Sequence, residues 1–416
     1  MCPSSVLGEE FKYSQSRMSV FRTVHLTDGR KISTRIRIDS MVPGREDAGS
    51  AFEYAYLRKR SWPVQSGHSE FVRVVDLFSG CGGLSLGTME ACRALGNSFI
   101  SVAAVDKDLE SLRVYEKNFK PLKTYNADIT DFLDGAVGSK PTTNELSLLR
   151  EVGDVDVLLA GPPCQGYSSL NNYTRQNDAR NALYERVARF VEIAEPKHVL
   201  IENIPSVTCG KERVVQRSID LMRRFGYYVD SGVVDLATIG VAQKRRRHVL
   251  IATQKELSIR EIMEKHRIKR KRSVRWAIAD LEDEPPNGIF TTPTKHSEAN
   301  MRRIEYLHKE ACYDLPDWLR PPCHMRGNHR YKSMYGRMKF DEPSQTITSG
   351  FLSPGQGRFI HPTRLRTITP HEAARLQGFP DFFDFSEAKK RGSLSSMIGN
   401  AVPTKLSYVV CLNMLA

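Results

Sequence analysis

From Phe71 onward the chain alternates short apolar runs with amphipathic ones. "FVRVVDLFSG" (71–80) and "FISVAAVDKD" (99–108) are rich in β-branched and small apolar residues and too short for buried helices, so they read as strands. "LSLGTMEACRAL" (84–95) and "LESLRVYEKNF" (109–119) read as the helices between and after them. Further strands are predicted at "VDVLLA" (155–160), "HVLIENI" (198–204) and "RHVLIAT" (247–253), with a helix at "ERVVQRSIDLMRRFG" (212–226) between the last two. Strands separated by helices argue for an α/β fold built on a parallel sheet.

The flanks follow other patterns. Before residue 70, "FRTVHLTDGRKISTRIRI" (21–38) alternates apolar and polar positions on both sides of Asp28-Gly29 and predicts a hairpin, followed by a linker at "MVPGREDAGS" (41–50). After about residue 255 the alternation gives way to a basic, proline-punctuated stretch. Order returns at "TPHEAARLQGF" (369–379), a helix with Thr369 and Glu372 in a capping box.

Charge adds a partner class. The formal net charge is +13 over 416 residues, concentrated in "QKRRRH" (243–248) and "HRIKRKRSVR" (266–275), which favours a polyanion, nucleic acid ahead of an anionic membrane. No apolar run approaches the roughly 20 residues needed to span a bilayer. The first twenty residues lack the basic and apolar regions of a secretory signal, so a cytoplasmic protein is expected. Eight cysteines are scattered without a CxxC pair, which argues for reduced thiols. Cys312, Cys323, His324 and His329 lack the second close cysteine pair of a zinc site, and no metal is expected.

Three features carry chemistry. In "VVDLFSGCGGLSLG" (74–87) a strand runs through Gly80, Gly82 and Gly83 into a helix, which lets backbone N–H groups face a polar ligand. The dinucleotide fingerprint G-x-G-x-x-G is not met because position 85 is Ser, which weighs against a nicotinamide oxidoreductase. Asp106, at the end of the next strand, is placed to accept hydrogen bonds from ribose hydroxyls, and Asp128 lies near the end of a third strand; either acid could instead cap a helix. Finally, Gly161-Pro162-Pro163 must end the strand before it, because proline cannot donate to a sheet ladder, and this holds Cys164 on a stiff turn.

The ordered series "DLFSGCGG", "GPPCQGYS", "IENI", "QKRRR", "RTITPHEAARLQGFPD" and "MIGNAVP" resembles the conserved blocks of the cytosine-5 DNA methyltransferases, from residue 74 to the end of the chain. The resemblance implies a Rossmann-like, S-adenosylmethionine-dependent fold with a small irregular target-recognition domain. Its boundaries would be 71–254 for the catalytic and cofactor-binding part, 255–345 for recognition, and 346–416 for the return to the catalytic domain. Residues 1–70 form an extension outside the resemblance, whose hairpin is expected to add DNA-contacting cations.

By the same resemblance Cys164 is the nucleophile that adds to carbon 6 of cytosine, which makes carbon 5 reactive. Glu202 stabilises or protonates N3, with its apolar strand disfavouring ionisation; a salt-bridged core carboxylate is the alternative. Asn203 holds the proline loop, Arg247 contacts the base O2, and Arg245 holds the closing loop or a phosphate. S-adenosylmethionine would be bound by Asp76, Phe78, Ser79, Gly80, Gly82, Gly83, Leu84, Asp106, Asp128, Pro162, Asn400 and Val402, with Phe78 stacked on the adenine. Ser168, Gln243 and Thr346 would touch DNA. Two positions depart from the family pattern, which more often has Glu at Asp106 and Gln at Met397; Asp108 is the neighbouring candidate for the first.

The implied substrate is a cytosine flipped out of double-stranded DNA within a short sequence, and the implied setting is a bacterial restriction-modification system with a cognate endonuclease and a monomeric enzyme. A transfer-RNA methyltransferase of the same fold usually carries a Cys-Phe-Thr stretch that is absent here. A silent DNA-binding relative would have lost Cys164, Glu202 or Arg247, and all three are present.

Overall fold

The computed structural model describes residues 5–38, 47–64, 70–163, 183–209, 213–322 and 333–416. Its centre is a seven-stranded sheet. With β1 (Val6–Tyr13), β2 (Ser19–Leu26) and β3 (Lys31–Arg37) forming a separate antiparallel sheet, the central strands are β4 (Phe71–Leu77), β5 (Ser98–Val105), β6 (Lys123–Tyr125), β7 (Val157–Ala160), β8 (His198–Asn203), β9 (Tyr228–Asp235) and β11 (Arg246–Thr253). They lie in the order β6-β5-β4-β7-β8-β11-β9. A short β10 (Gln243–Lys244) pairs in parallel with β12 (Ser344–Gln345) outside this sheet.

Successive residues of the central strands go to opposite faces, and both faces are covered. Val72, Val74, Val157, Leu159, Leu200, Val249 and Ile251 pack with the helices Gly83–Ala94 and Thr404–Met414. Val75, Leu77, Leu158, Ala160, Val199, Ile201 and Leu250 pack with the helices Leu183–Ala194 and Val214–Arg224. Burial on both sides is why these strands read as unbroken apolar runs.

The expectation of a parallel sheet holds from β6 to β8 and fails at β11, which runs antiparallel to β8 and β9. The link from β9 to β11 is too short to carry a crossover helix, so the two strands must run in opposite directions. β9 escaped the sequence reading because "YVDSGVVD" is an edge strand with Asp230, Ser231 and Gly232 in its middle, and burial along it is partial. The expected hairpin at Asp28-Gly29 forms between β2 and β3. The second half of the expected linker is instead the start of a helix, Ala48–Leu57, whose cap Asp47 accepts from the Ser50 N–H at 3.1 Å. The capping box at Thr369 and Glu372 opens the helix Pro370–Leu376.

The extension shares its core with the sheet rather than standing apart from it. Val6, Val24 and Leu26 belong to the cluster that contains Val74 and Leu159. Across this seam Arg22, 3% exposed, donates to Glu90 at 2.8 Å, the Tyr408 hydroxyl at 3.0 Å and Thr34 at 3.1 Å. Part of the basic run serves the same seam: Lys265 donates to the Val6 carbonyl, His266 meets Glu9, and Arg272 is buried against Glu53 and Asp47. A buried network of this kind is costly to break because the remaining partner stays desolvated.

Between Leu281 and Met338 the chain makes an excursion from one place on the body. The Val274 and Arg275 N–H groups donate to the carbonyls of Glu342 and Phe340, and Leu281 and Met338 share an aromatic-rich cluster with Phe379 and Phe383. Within the excursion Ile304, Leu307 and Leu315 form a small cluster of their own with Ile360.

Arg22→Met should lower unfolding free energy by about 3 kcal/mol, because Glu9 loses a nearby cation and Glu90 keeps only Arg93. Adding Glu9→Gln should restore part of that loss. Denaturant unfolding of the three proteins checks both statements.

Candidate active site

The strand register sets a line across the parallel half of the sheet. Tyr125 pairs with Val105, Val105 with Leu77, Leu77 with Ala160, and Ala160 with Ile201. The residues just past that line, Asp106, Phe78, Gly161 and Glu202, therefore emerge side by side at the carboxyl ends of four adjacent strands. Three strand spacings separate the first from the last, about 15 Å. In open α/β sheets this edge is where ligands bind.

At one end of the line the glycine loop turns. Phe78 has φ +61, Gly80 φ +51 and Gly82 φ +97. For a bulky residue such as Phe78 that backbone is strained, a feature that concentrates at ligand sites. The Gly80 N–H donates to Asp106 Oδ2 at 2.7 Å, and Asp106 Oδ1 accepts from the Asp108 N–H. Asp108 itself caps the helix Leu109–Phe119, so Asp106 is the acid that faces the loop. A Cβ added to Gly80 would meet nothing within 4 Å, whereas one on Gly83 would lie 2.4 Å from the Val402 carbonyl oxygen. The first glycine borders open space and the second permits close packing. Leu84 and Val402 are buried beside it.

Beneath the loop Asp76 is fully buried. Its Oδ2 accepts from Ser85 Oγ at 2.6 Å, and the Tyr115 hydroxyl lies 2.8 Å from the same Ser85 Oγ. Ser85 is the residue that breaks the dinucleotide fingerprint, and here it supports this acid. Asp76 Oδ1 and Ser79 Oγ are buried with no hydrogen-bond partner among the described residues. Burial raises the Asp76 carboxyl to about 7 against the pull of Ser85, with Asp106 adding repulsion. Burial likewise raises Asp106 above the usual carboxylate range.

Asp128 is engaged twice. It caps the turn Ile129–Asp131, accepting from the Thr130 N–H at 3.0 Å, and it pairs with Lys107. Burial alone would raise its carboxyl, but the Lys107 and Thr130 contacts hold it below its usual value. Asn400 is exposed, with its amide donating to Ser396 Oγ at 3.3 Å. The Met397 carbonyl accepts from Cys81 Sγ at 3.7 Å, which ties the final block to the glycine loop.

At the other end of the line Glu202 is 7% exposed and sits 2.6 Å from Arg247 Nε. At the end of its apolar strand the carboxyl is thus ion-paired, the salt-bridged alternative of the sequence reading. The antiparallel run of β11 explains it: Val249 pairs with Glu202, so Arg247 projects past the end of β8. The Asn203 amide donates to the Pro162 carbonyl at 3.3 Å, and its oxygen accepts from the Ile204 N–H. Pro162 is buried at the strand end. Cys164 and Ser168 lie outside the described residues, as do Cys323, His324 and His329. Among the described residues no group of three or more His, Cys, Asp or Glu is arranged to hold a metal.

Gln243 and Arg245 occupy different surroundings from those the resemblance implies. Gln243, assigned to DNA, is fully buried: its amide donates to Gln377 Oε1 at 2.9 Å and its oxygen accepts from the Ile347 N–H at 2.8 Å. With both ends of the amide taken and no exposed surface, the side chain has no face to offer DNA. Arg245, 3% exposed, donates to the carbonyls of Ile347 and Ala401. Thr346 is half-buried, and its hydroxyl donates to the Lys244 carbonyl at 3.0 Å. Gln377, given no role from sequence, completes this junction by donating to the Ile398 carbonyl at 2.7 Å. The only signal for it was a polar residue within the otherwise apolar "LQGF".

Solved methyltransferases share this fold. A DNA modification methyltransferase encoded within an E. coli prophage superposes with a TM-score of 0.61 at 22% identity, over 83% of this chain and 98% of that one. The Dnmt2 methyltransferase of S. pombe gives 0.58 at 18% identity, over 83% and 98%. In sequence, the family model for C-5 cytosine-specific DNA methylases matches residues 72–415, and the chain belongs to that family. Type II methyltransferase M1.BsuMI of Bacillus subtilis is 44% identical over 364 residues, covering 88% of this chain and 85% of the relative. Type II methylase M.HgiDII of Herpetosiphon aurantiacus is 31% identical over 347 residues, covering 81% and 93%. The chain is thus a cytosine-5 methyltransferase of the kind found in type II restriction-modification systems. No helix among the described residues is long and apolar enough to cross a membrane.

Asp76 gives a pH signature. Its carboxyl titrates near 7 folded and near 3.8 unfolded, so between those values the native state holds more protons and stability falls as pH rises. The stability of the parent relative to Asp76→Asn should decline across that window, approaching about 1.4 kcal/mol per pH unit at its middle, and level off above it. Chemical denaturation at a series of pH values measures the difference.

Proposed function

We propose that this enzyme methylates carbon 5 of a cytosine flipped out of duplex DNA within a specific short sequence, with S-adenosylmethionine as donor. The observation that carries the reading is the line Asp106, Phe78, Gly161, Glu202: a loop bordering open space at one end and a buried acid with a guanidinium at the other. About 15 Å is enough to seat a nucleoside and a base with their reacting atoms between them.

The glycine end fits the donor. Gly80 leaves space, Asp106 can take ribose hydroxyls alongside its loop contacts, Phe78 supplies an aromatic face, and Asp76 Oδ1 and Ser79 Oγ are unclaimed acceptors. When bound, S-adenosylmethionine supplies an electrophilic methyl group on a sulfonium centre.

At the other end the thiolate of Cys164 forms a bond to carbon 6 of the ring. With the base bound, Glu202 would share a proton with N3 as negative charge moves there, and Arg247, paired with Glu202 in the free enzyme, would reach the O2 carbonyl. Carbon 5 would then take the methyl group as the donor's sulfonium leaves as a neutral thioether, and loss of the carbon-5 proton to water would expel the Cys164 thiolate from carbon 6 and restore the ring, with the N3 proton returning to Glu202. Asn203 holds Pro162, two residues before Cys164, by its amide. Gln243, Arg245 and Gln377 act as positioning residues that lock the residue 346–347 junction to the final block. Residues 255–345 read the bases, and Lys and Arg on that part supply salt-dependent phosphate contacts. A cognate endonuclease cutting the same site, a monomeric state and a cytoplasmic location complete the reading.

Expression of the parent and Cys164→Ala in a host without cytosine methylation, followed by mapping of 5-methylcytosine, tests it. One short motif should be marked by the parent alone, with the variant reduced about 1,000-fold or more. Glu202→Gln should lower kcat by about 100-fold. Marking of transfer RNA instead of DNA would overturn the proposed substrate.

A further inference from the structure

The small sheet of the extension has two unlike faces, fixed by its register. Val20, Arg22, Val24, Thr34 and Ile36 point inward and are buried. Their neighbours form rows on the other face: Lys12 pairs with Phe21 and Phe21 with Arg35, while Glu10 pairs with Thr23 and Thr23 with Ser33. His25 pairs with Lys31 and Ser19 with Arg37 on that same face. Among the described residues it carries Lys12, Lys31, Arg35 and Arg37 against one carboxylate, Glu10, which is already paired with Lys12 at 2.6 Å. Lys31, Arg35 and Arg37 are exposed, and among the described residues none of the three meets a carboxylate within ion-pair distance. Arg35 is held by Ser19 Oγ at 3.0 Å and lies 5.7 Å from the Phe21 ring.

These cations differ from those of the 266–275 run, which are partly consumed by the docking seam. The family model starts at residue 72, so the face lies outside the common catalytic body. Arg35 and Arg37, two residues apart on β3, are about 6.7 Å from one another, Lys31 lies four residues from Arg35, and Lys12 stands two strands away on β1, about 10 Å across the sheet. A row of cations of this kind, with hydroxyls from Thr23 and Ser33 between the charges, complements a phosphate backbone and offers nothing to read bases.

We propose that this face binds the phosphates of duplex DNA flanking the methylated site. It rests on the reading of duplex DNA as substrate. Its contribution is sequence-independent, so it appears in affinity and salt dependence and not in target choice.

The test compares a duplex of about one helical turn with one of about four, for the parent and for Lys31→Gln/Arg35→Gln/Arg37→Gln. The parent should bind the longer duplex more tightly and with a steeper salt dependence. On that duplex the triple variant should bind about 10-fold more weakly at moderate salt, with a slope shallower by about 0.9 for each phosphate that is no longer neutralised. Binding and methylation of the short duplex should be unchanged. Arg35→Glu/Arg37→Glu should weaken the long complex further. Equal affinity and slope for parent and triple variant on the long duplex would overturn the proposal, as would equal weakening on both lengths. Methylation of the short duplex reports separately on the active-site reading, and the length comparison needs only binding.

Discussion

The molecule depends on one close approach. Gly83 and Gly87, one turn apart on the first helix after β4, lie against the carbonyl oxygens of Val402 and Thr404; added Cβ atoms would sit 2.4 Å and 2.0 Å from them. Any larger side chain would push the last helix of the chain away from the first helix of the sheet. This approach brings "GNAVP" back to the glycine loop across more than three hundred residues, and makes the end of the chain a wall beside that loop. Much else follows from that closure. Gln377 can reach the Ile398 carbonyl, Arg245 the Ala401 carbonyl, and Gly399 can sit under Ser349 only because the final block is held there.

Much of this was legible in the sequence, and the pattern of success is physical. Strands buried on both faces announce themselves as unbroken apolar runs, so β4, β5, β7, β8 and β11 were visible, as was the hairpin with its Asp-Gly turn. β9 was not, because an edge strand needs little apolar surface. The direction of β11 was also hidden, since direction is set by the length of the connection and leaves no trace in composition. Among site residues, the positions of Glu202, Asp106 and the glycines follow from strand ends. The surroundings of Gln243 do not: a glutamine at the head of a basic run looks exposed, and its burial comes from Gln377 and Ile347, more than a hundred residues away.

Net charge proved a poor guide to where charge is used. Within the "HRIKRKRSVR" run, His266 and Arg272 are buried or half-buried partners of acids in the extension, and Arg275 pairs with Asp341. In "QKRRRH", Lys244 meets Glu342, Arg247 meets Glu202 and Arg245 is enclosed by carbonyls. The most concentrated basic stretches therefore do a large share of internal work. The sparser alternating cations of β3 face outward because the pleat leaves them no other direction.

The pinned excursion between Leu281 and Met338 bears on how such an enzyme can change. Its two ends leave from neighbouring points, stitched by Val274 to Glu342 and Arg275 to Phe340, while its interior keeps a small core of its own. A segment whose two ends meet can lengthen or shorten at a closure cost that grows only slowly with its length. The contacts it makes elsewhere on the body, Glu284 with His371, Phe290 with Phe385, the Thr292 carbonyl with Arg391 and His296 with Thr367, confine such change to the stretches between them, while the sheet, the glycine loop and the closing helix stay as they are.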